Sequence, residues 1–407
     1  MKLLLVTQYF WPEEFTINEL VASLVDQGVE VKVLTGKPNY PEGKLYKGYR
    51  LFSFDEETRQ GVMIRRVPIV IRGMKNPVRL ALNYLSFIFS AGVFGPWLLR
   101  KYKPDVILVY ALSPLLQAIP AILLGKLKNI PVVLYVQDLW PESLEATGYV
   151  QKRWILNSVS WLVKHIYRAV DSILISSRPF EAAIRRFVPQ ARISYLPNSV
   201  DPAFADPNAG LTQDHPALDE GFVVIFAGNL GAAQAVHVIA EAAEKLEAYP
   251  DIKLVVLGSG SELAWMREQK QEKKLANLHL LGRFPVEAMP YMLAKASVLL
   301  ITLADQPIFA MTVPNKTQAY MAVGRPIVAA LNGEGAKLVT EAQAGIAVPA
   351  EDSTALTQAI LRLYQMSDQQ RRDIGLNGRQ FYLQHFEQGI VSRAMLDHLK
   401  QATEEKR

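Results

Sequence analysis

The chain has 407 residues, half of them apolar, with 44 Lys and Arg against 39 Asp and Glu and no cysteine. At about 150 residues per domain, this length predicts two domains with ample apolar material for their cores. The missing cysteines exclude a disulfide framework, a thiolate metal site and a cysteine nucleophile together.

Charge is unevenly spread: residues 1–200 hold 25 Lys and Arg against 15 Asp and Glu, and the rest of the chain holds 19 against 24. A basic first half suits nucleic acid or an anionic membrane surface. No zinc-finger pattern, basic zipper or aromatic-rich RNA motif accompanies it, so the membrane surface is the expected partner and nucleic acid is not. The opening MKLLLVTQYF has a short apolar run without a small-residue cleavage site. It reads as a buried strand rather than an export signal, and a cytoplasmic location is expected.

From there, short β-branched apolar runs alternate with longer helical patterns, which predicts an α/β chain of parallel sheets with crossover helices. Strands are expected near Leu3–Gln8, Val29–Leu34, Met63–Val67, Val106–Tyr110, Val132–Gln137 and Ile173–Ser176 in the first half. In the second they fall near Val223–Ala227, Lys253–Leu257, Leu278–Leu281, Val298–Ile301, Ile327–Ala330 and Gly345–Val348. Tyr195–Pro202 and the Pro-, Asp-, Asn- and Gly-rich loop up to Gly221 mark the boundary, giving domains 1–200 and 201–379. The helical stretch 380–407 follows the second sheet and is expected to pack back on the first domain.

Residues 79–99 form a nearly continuous apolar segment, with Arg72, Lys75 and Arg79 ahead of it and Arg100, Lys101 and Lys103 behind. As a helix it is just long enough to cross a bilayer. Asn83, Ser86 and Ser90 would form a polar stripe, and Gly95-Pro96 is expected to break the helix. The segment is therefore read as a helix lying on or partly inserted in a membrane surface, with an ordinary buried helix as the first alternative and a true span as the second. Trp154 and Trp161, seven apart, form one helical stripe for which core packing is preferred to membrane anchoring.

The first strand runs into Gln8-Tyr9-Phe10-Trp11-Pro12-Glu13, without the glycines that let a backbone approach a dinucleotide, and no P-loop occurs. The second domain has better candidates. Gly228-Asn229-Leu230-Gly231 ends one strand and Gly258-Ser259-Gly260 the next. Glycines there could bring backbone N–H groups and a helix N-terminus to a diphosphate, or could simply make turns. Their place at the carboxyl ends of successive strands of one sheet favours the diphosphate.

Those loops, the boundary sequence Leu196-Pro197-Asn198-Ser199-Val200-Asp201 and the run Pro314–Ile327 (PNKTQAYMAVGRPI) resemble glycosyltransferase family 4 over essentially the whole chain. Gln8–Glu13, Gln137–Ser143 (QDLWPES) and Gly228–Gly231 are further similar to the fucosamine transferases of O-antigen and capsule assembly. The resemblance implies the GT-B fold, two facing Rossmann-like doubly wound parallel-sheet domains, the second holding a nucleotide sugar and the first an acceptor. It also implies a retaining hexosyltransferase that needs no metal and no cofactor beyond its UDP-sugar donor. The acceptor would be an undecaprenyl diphosphate-linked saccharide, placing the protein peripherally on the cytoplasmic face of the inner membrane. No Asp-x-Asp cluster occurs to hold a metal on the diphosphate.

The departures from the family matter as well. The Arg and Lys that usually pair with the diphosphate are replaced by Asn229 and Gln234, and the two family glutamates would align with Met311 and Ala319. Lys316 is then the best candidate for stabilising the departing diphosphate, with Arg283 second. Asn315 lies beside it, and Gln318 could bond a ribose hydroxyl. In the first domain Asp138, Trp140 and Glu142 follow a buried strand. Asp138 or Glu142 could receive a proton from the acceptor or cap the next helix. Pro12, Glu13 and Tyr40 follow earlier strands and are acceptor candidates. A sugar-nucleotide epimerase of the same architecture, or a catalytically silent assembly partner, are the alternative readings.

Overall fold

The computed structural model describes every residue except 74–75, 147–151, 207–209 and 407, so Lys75 lies outside the described residues. Contacts divide the chain into two compact units, Met1–Pro197 with Gln388–Arg407, and Asn198–Glu387.

In chain order the first unit runs β1 (Lys2–Val6), α1 (Ile17–Asp26), β2 (Glu30–Thr35), β3 (Asp55–Arg59), β4 (Val62–Arg66), α2 (Pro77–Leu98), β5 (Val106–Ala111) and α3 (Ala118–Lys128). It continues with β6 (Val132–Val136), α4 (Glu142–Ala146), α5 (Arg153–Ala169), β7 (Ser172–Ile175), α6 (Phe180–Arg185) and β8 (Ile193–Tyr195). The sheet order is β3-β4-β2-β1-β5-β6-β7-β8, parallel except for β3 against β4. Strands β5 and β6 are buried at every residue, as expected of a sheet covered on both faces. Strands β3 and β8 were not foreseen; β3 (DEETR) opens with three acidic residues, of which Glu56 and Glu57 pair with Arg65 and Arg66 on β4.

The second unit runs β9 (Phe222–Ala227), α7 (His237–Lys245), β10 (Ile252–Leu257), α8 (Leu263–Glu272), β11 (Leu278–Gly282), α9 (Met289–Ala294), β12 (Val298–Thr302), α10 (Pro307–Ala310) and α11 (Asn315–Val323). It ends with β13 (Ile327–Ala330), α12 (Glu334–Glu341), β14 (Gly345–Val348), α13 (Ser353–Tyr364) and α14 (Asp368–His385). Its six strands are all parallel in the order β11-β10-β9-β12-β13-β14, with apolar clusters on both faces. In each sheet the first strand, β1 or β9, is the point where strand order reverses, and the carboxyl ends there open a crevice.

The last helix, α15 (Gln388–Lys406), belongs to the first unit. Val391, Met395, Leu399 and Ala402 join Leu3, Leu5, Leu20 and Leu24 in one core, and Ser392 meets Ser23 at 2.8 Å. The last unit-2 helix ends at His385, so the break falls near residue 387 rather than 380.

Helix α2 departs from expectation in two ways. It runs unbroken through Gly95-Pro96, because Pro96 sits in the final turn and removes a single bond there, while Gly95 lies flat against Leu34 and Leu124. Its polar stripe faces inward: Asn83 is fully buried and donates to the Val70 carbonyl at 2.6 Å, and Ser86 accepts the Val70 N–H at 2.9 Å. The outward stripe is apolar, made of Val78, Leu82, Leu85, Phe89, Val93 and Trp97. Trp154 and Trp161 are likewise 68% and 60% exposed, so they are not core residues. Their helix α5 buries Val163, Ile166 and Tyr167 instead.

Candidate functional site

The carboxyl end of β9 is fixed from below by α11. The Tyr320 hydroxyl accepts the Ala227 N–H at 2.9 Å and lies 3.3 Å from the Ala227 carbonyl, bracketing the last residue before the glycine loop. Gly228 then turns with φ +139° and Gly258, at the end of β10, with φ +152°. A Cβ on Gly258 would collide with the Gly228 carbonyl, and one on Gly260 with the Leu230 carbonyl. The two loops therefore pack backbone on backbone, joined by Leu230 N–H to Ser259 O and Glu262 N–H to Leu230 O, both 2.9 Å.

This corrects the role expected of the Gly228, Gly231 and Gly258 amides. Gly228 N–H donates to Leu257 O at 2.8 Å and Gly258 N–H to Gly282 O at 2.7 Å, so they secure strand ends rather than meet a ligand. Gly231 N–H donates to Gln234 Oε1 at 3.1 Å, and Asn229 reaches the same oxygen at 3.2 Å. The residues replacing the family's Arg and Lys thus bind each other across the loop. Nor does the loop open a long helix directly: it makes one 3₁₀ turn, Ala232–Gln234, and α7 starts only at His237 after Ala235 adopts φ +46°.

Lys316 is the second residue of α11, not a loop residue. Its side chain runs back under the glycine loop, with Nζ 4.0 Å from the Phe226 ring centroid and 3.2 Å from where a Gly228 Cβ would stand. The ammonium is buried and has no hydrogen-bond partner among the described residues. Burial pulls its pKa from 10.5 down to about 7. An unpaired buried cation is costly, and a phosphate oxygen at the Gly228 loop would supply the missing counter-charge.

The other donor candidates separate. Asn315, exposed at the head of α11, accepts from Asn198 at 3.0 Å. Arg283 is exposed immediately after Gly282, whose carbonyl holds the second glycine loop. Gln318 is 2% exposed, and its amide nitrogen, oriented to suit its surroundings, donates to the Pro314 and Asn315 carbonyls. It holds the first turn of its own helix, so the expected ribose contact is corrected. Among the described residues no group of three or more His, Cys, Asp or Glu is placed to hold a metal ion.

In the first unit, the loops after β1, β2, β5 and β6 carry the remaining candidates. Glu13 is 1% exposed. Its Oε1 accepts the Asn39 and Tyr40 N–H groups at 2.7 and 2.8 Å, and its Oε2 that of Phe10 at 3.3 Å. Burial pushes its carboxyl up to about 7 despite those bonds. Glu13 therefore ties two mouth loops together rather than reaching an acceptor, a correction caused by the three backbone donors that converge on it. Fully buried Lys37 and Arg66 support the same loops: Lys37 pairs with Asp55, and Arg66 pairs with Glu57 and donates to the Gly36 and Trp11 carbonyls.

Tyr40 stays accessible, its ring 5.2 Å from Phe15 and 5.7 Å from Tyr9, with the Arg72 guanidinium 5.0 Å from its centroid. Pro12, half-buried, follows Trp11 through a cis peptide. Trp140 is buried, and its indole donates to Ser113 Oγ at 3.0 Å, which corrects its expected acceptor contact. Ser113 in turn donates to Asp138 Oδ2 at 2.9 Å. Burial raises the Asp138 carboxyl above the usual range, with the Ser113 hydroxyl opposing. Glu142 heads α4, and its buried Oε2 has no hydrogen-bond partner among the described residues. Ser113 was missed in the sequence; the signal available was its place just after the wholly buried β5, opposite Asp138 after β6.

Known proteins share both domains and the fold. Residues 14–199 match the model of the glycosyl transferase 4-like domain, and 221–366 that of glycosyl transferases group 1. WcaI of Escherichia coli (strain K12), named for a glycosyl transferase role in colanic acid biosynthesis, is 26% identical over 309 residues, 72% of this chain and 74% of that protein. Among solved structures, sucrose-phosphate synthase from Thermosynechococcus elongatus superposes with a TM-score of 0.75 at 19% identity, covering 98% of both chains. The Escherichia coli trehalose-6-phosphate protein bound with UDP-2-fluoro glucose gives 0.74 at 13% identity, covering 98% of this chain and 99% of that one. Anabaena Alr3699/HepE in complex with UDP gives 0.69 at 14%, covering 98% and 100%. The two parallel-sheet domains are those of the GT-B fold, and the chain belongs to the glycosyltransferases that join a family 4-like domain to a group 1 domain.

Proposed function

We propose that the protein is a retaining, metal-independent glycosyltransferase of bacterial surface polysaccharide assembly, moving a sugar from a UDP-sugar to a saccharide on undecaprenyl diphosphate. The observation that carries the donor half is Lys316, a buried ammonium without a hydrogen-bond partner among the described residues, beneath the Gly228 loop at the reversal point of the second sheet. The UDP and UDP-2-fluoro glucose bound by structural neighbours, and the colanic acid role in the relative's name, support the reading. N-acetyl-L-fucosamine is the proposed sugar, on the resemblance of Gln8–Glu13, Gln137–Ser143 and Gly228–Gly231.

In this reading the acceptor hydroxyl oxygen forms a bond to the anomeric carbon while the bond from that carbon to the diphosphate breaks. UDP leaves with the electron pair, and the hydroxyl proton passes to the departing phosphate oxygen. Protonated Lys316 stabilises the charge that develops there. Asp138, held by Ser113, orients the acceptor hydroxyl, and the exposed Tyr40 ring offers an apolar sugar face a stacking surface. The outward apolar stripe of α2 and the exposed Trp154 and Trp161, on a basic half of the chain, support peripheral attachment to the cytoplasmic face of the membrane that carries the acceptor. By length and composition α2 alone among the described helices could also span, and 28% of its apolar window is buried in the protein.

The test is a thermal-shift titration with UDP, GDP, ADP and NAD, followed by transfer assays with UDP-sugars. Selective stabilisation by UDP is expected, since a ligand of the folded state raises stability by mass action. No shift with any nucleotide would remove the donor site from this reading.

A further inference from the structure

The apolar stripe of α2 ends in a basic pocket. Where Trp97 closes the stripe, it also walls a cavity of about 300 Å³ formed with Lys32 on β2, Met63 and Arg65 on β4, and Arg100, Lys101 and Tyr102 after the helix. The lining carries four cations and no carboxylate. The aromatic walls hold two of the charges in place: Lys32 Nζ lies 4.3 Å from the Tyr102 centroid, and the Arg100 guanidinium 5.1 Å from that of Trp97. Arg65 pairs with Glu56, which is not among the lining residues.

Cations are ordinary at a helix C-terminus, where the backbone carries about half a negative charge, and Arg100 donates to the Trp97 carbonyl at 3.2 Å. With Arg65 set against Glu56, the three that remain still exceed that need several-fold, and Lys32 comes from a strand rather than from the helix. The surplus calls for an anion. From Val78 to Trp97 the stripe extends about 28 Å at 1.5 Å per residue. Phe54 packs on Phe94 and Trp97 with centroids 4.9 and 6.2 Å away, and its neighbour Phe52 is 85% exposed. Apolar groups along one side with cations at one end match acyl chains beside phosphates; a soluble anion would need only the cations.

We propose that this pocket binds the phosphate of an anionic glycerophospholipid, making attachment of the first unit selective for headgroup charge. The inference rests on the membrane reading above and deepens it by naming the lipid class and the groups that read it.

The full-length protein is tested by sedimentation with vesicles of phosphatidylcholine alone and of phosphatidylcholine containing phosphatidylglycerol. The expected result is tighter binding to the anionic vesicles. In the Lys32→Gln/Lys101→Gln variant that preference falls about tenfold or more, with binding to neutral vesicles and the Tm unchanged. Leu85→Ser/Phe89→Ser should weaken binding to both. A charge-matched control, Lys274→Gln/Lys337→Gln on the second unit, should keep the preference. If the wild type binds neither vesicle, the membrane reading itself fails. If it binds both alike, or the pocket variant keeps its preference, or the control loses as much, only the pocket is overturned. A Tm rise with glycerol 3-phosphate that the pocket variant abolishes, without vesicle selectivity, would assign the pocket to a soluble phosphate and overturn the lipid.

Discussion

The carboxyl ends of the two sheets solve the same architectural problem with different materials. In the first unit, side chains build the mouth: Glu13, Lys37, Arg66, Asn39 and Asn83 are fully or almost fully buried, and each has a hydrogen-bond or ionic partner. In the second, backbone packed on backbone builds it, through Gly228, Gly258 and Gly260, and Lys316 beneath is left unpaired. Where Glu13, Lys37 and Arg66 are already answered, the mouth is a scaffold for neutral groups such as sugar hydroxyls. One that keeps an unanswered cation is preset for an anion, which is the division of labour a sugar transfer from a diphosphate requires.

The sharpest way to break this contrast is Lys316→Ala. Turnover should fall about 10²- to 10³-fold in single-turnover assays, the size typical of losing one group that stabilises a developing oxyanion. The Tm should stay level or rise, because the deletion also removes an uncompensated buried charge. Unchanged turnover would end the role assigned to this residue.

Next in size is Gly258→Ala, which drives a methyl into the Gly228 carbonyl at a positive φ. Chemical denaturation should show a loss of about 2–4 kcal/mol, together with loss of the UDP-dependent shift. A smaller loss of about 2 kcal/mol is expected for Glu13→Ala, which leaves the N–H groups of Phe10, Asn39 and Tyr40 unpaired. The UDP shift should survive it, so that equal damage to donor binding would dissolve the contrast.

The contrast also shows in pH dependence, where the two units have opposite signs. Glu13 titrates near 7 in the fold against an ordinary 4.5, so between those values the folded protein holds the extra proton and stability falls as pH rises. Lys316 titrates near 7 against 10.5, so between those values the unfolded chain holds more protons and stability rises with pH. Stability profiles of Glu13→Gln should lose the falling limb below pH 7, and those of Lys316→Met the rising limb above it.

Much of the fold was legible because buried parallel strands announce themselves as continuous apolar runs. Strand β3 escaped because its sequence, DEETR, becomes a strand only when β4 supplies its partners. The positions of the site loops were legible too, since glycines and prolines punctuate strand ends. What each residue does there was not. Glu13 and Gln318 are polar residues in the expected places whose bonding capacity is spent on neighbouring backbone, and nothing local distinguishes them from ligand-binding groups. Helix α2 reversed the usual rule that the polar stripe faces water, because Asn83 and Ser86 were needed to hold the Val70 segment. Trp154 and Trp161 lie outward because the core side of α5 is occupied by Val163, Ile166 and Tyr167.

The placement of α15 has a consequence for synthesis. A ribosome delivers residues 1–197 well before the helix that covers Leu3, Leu5 and Leu20, which is made only after the whole of 198–387. At about 5–20 residues per second the nascent first unit would wait roughly 10–40 s with that side of its core uncovered. The second unit, contiguous in sequence, has all its residues before the first does. The order of maturation is thus the reverse of the order of translation, and the exposed apolar face during that interval is a natural substrate for a holding chaperone.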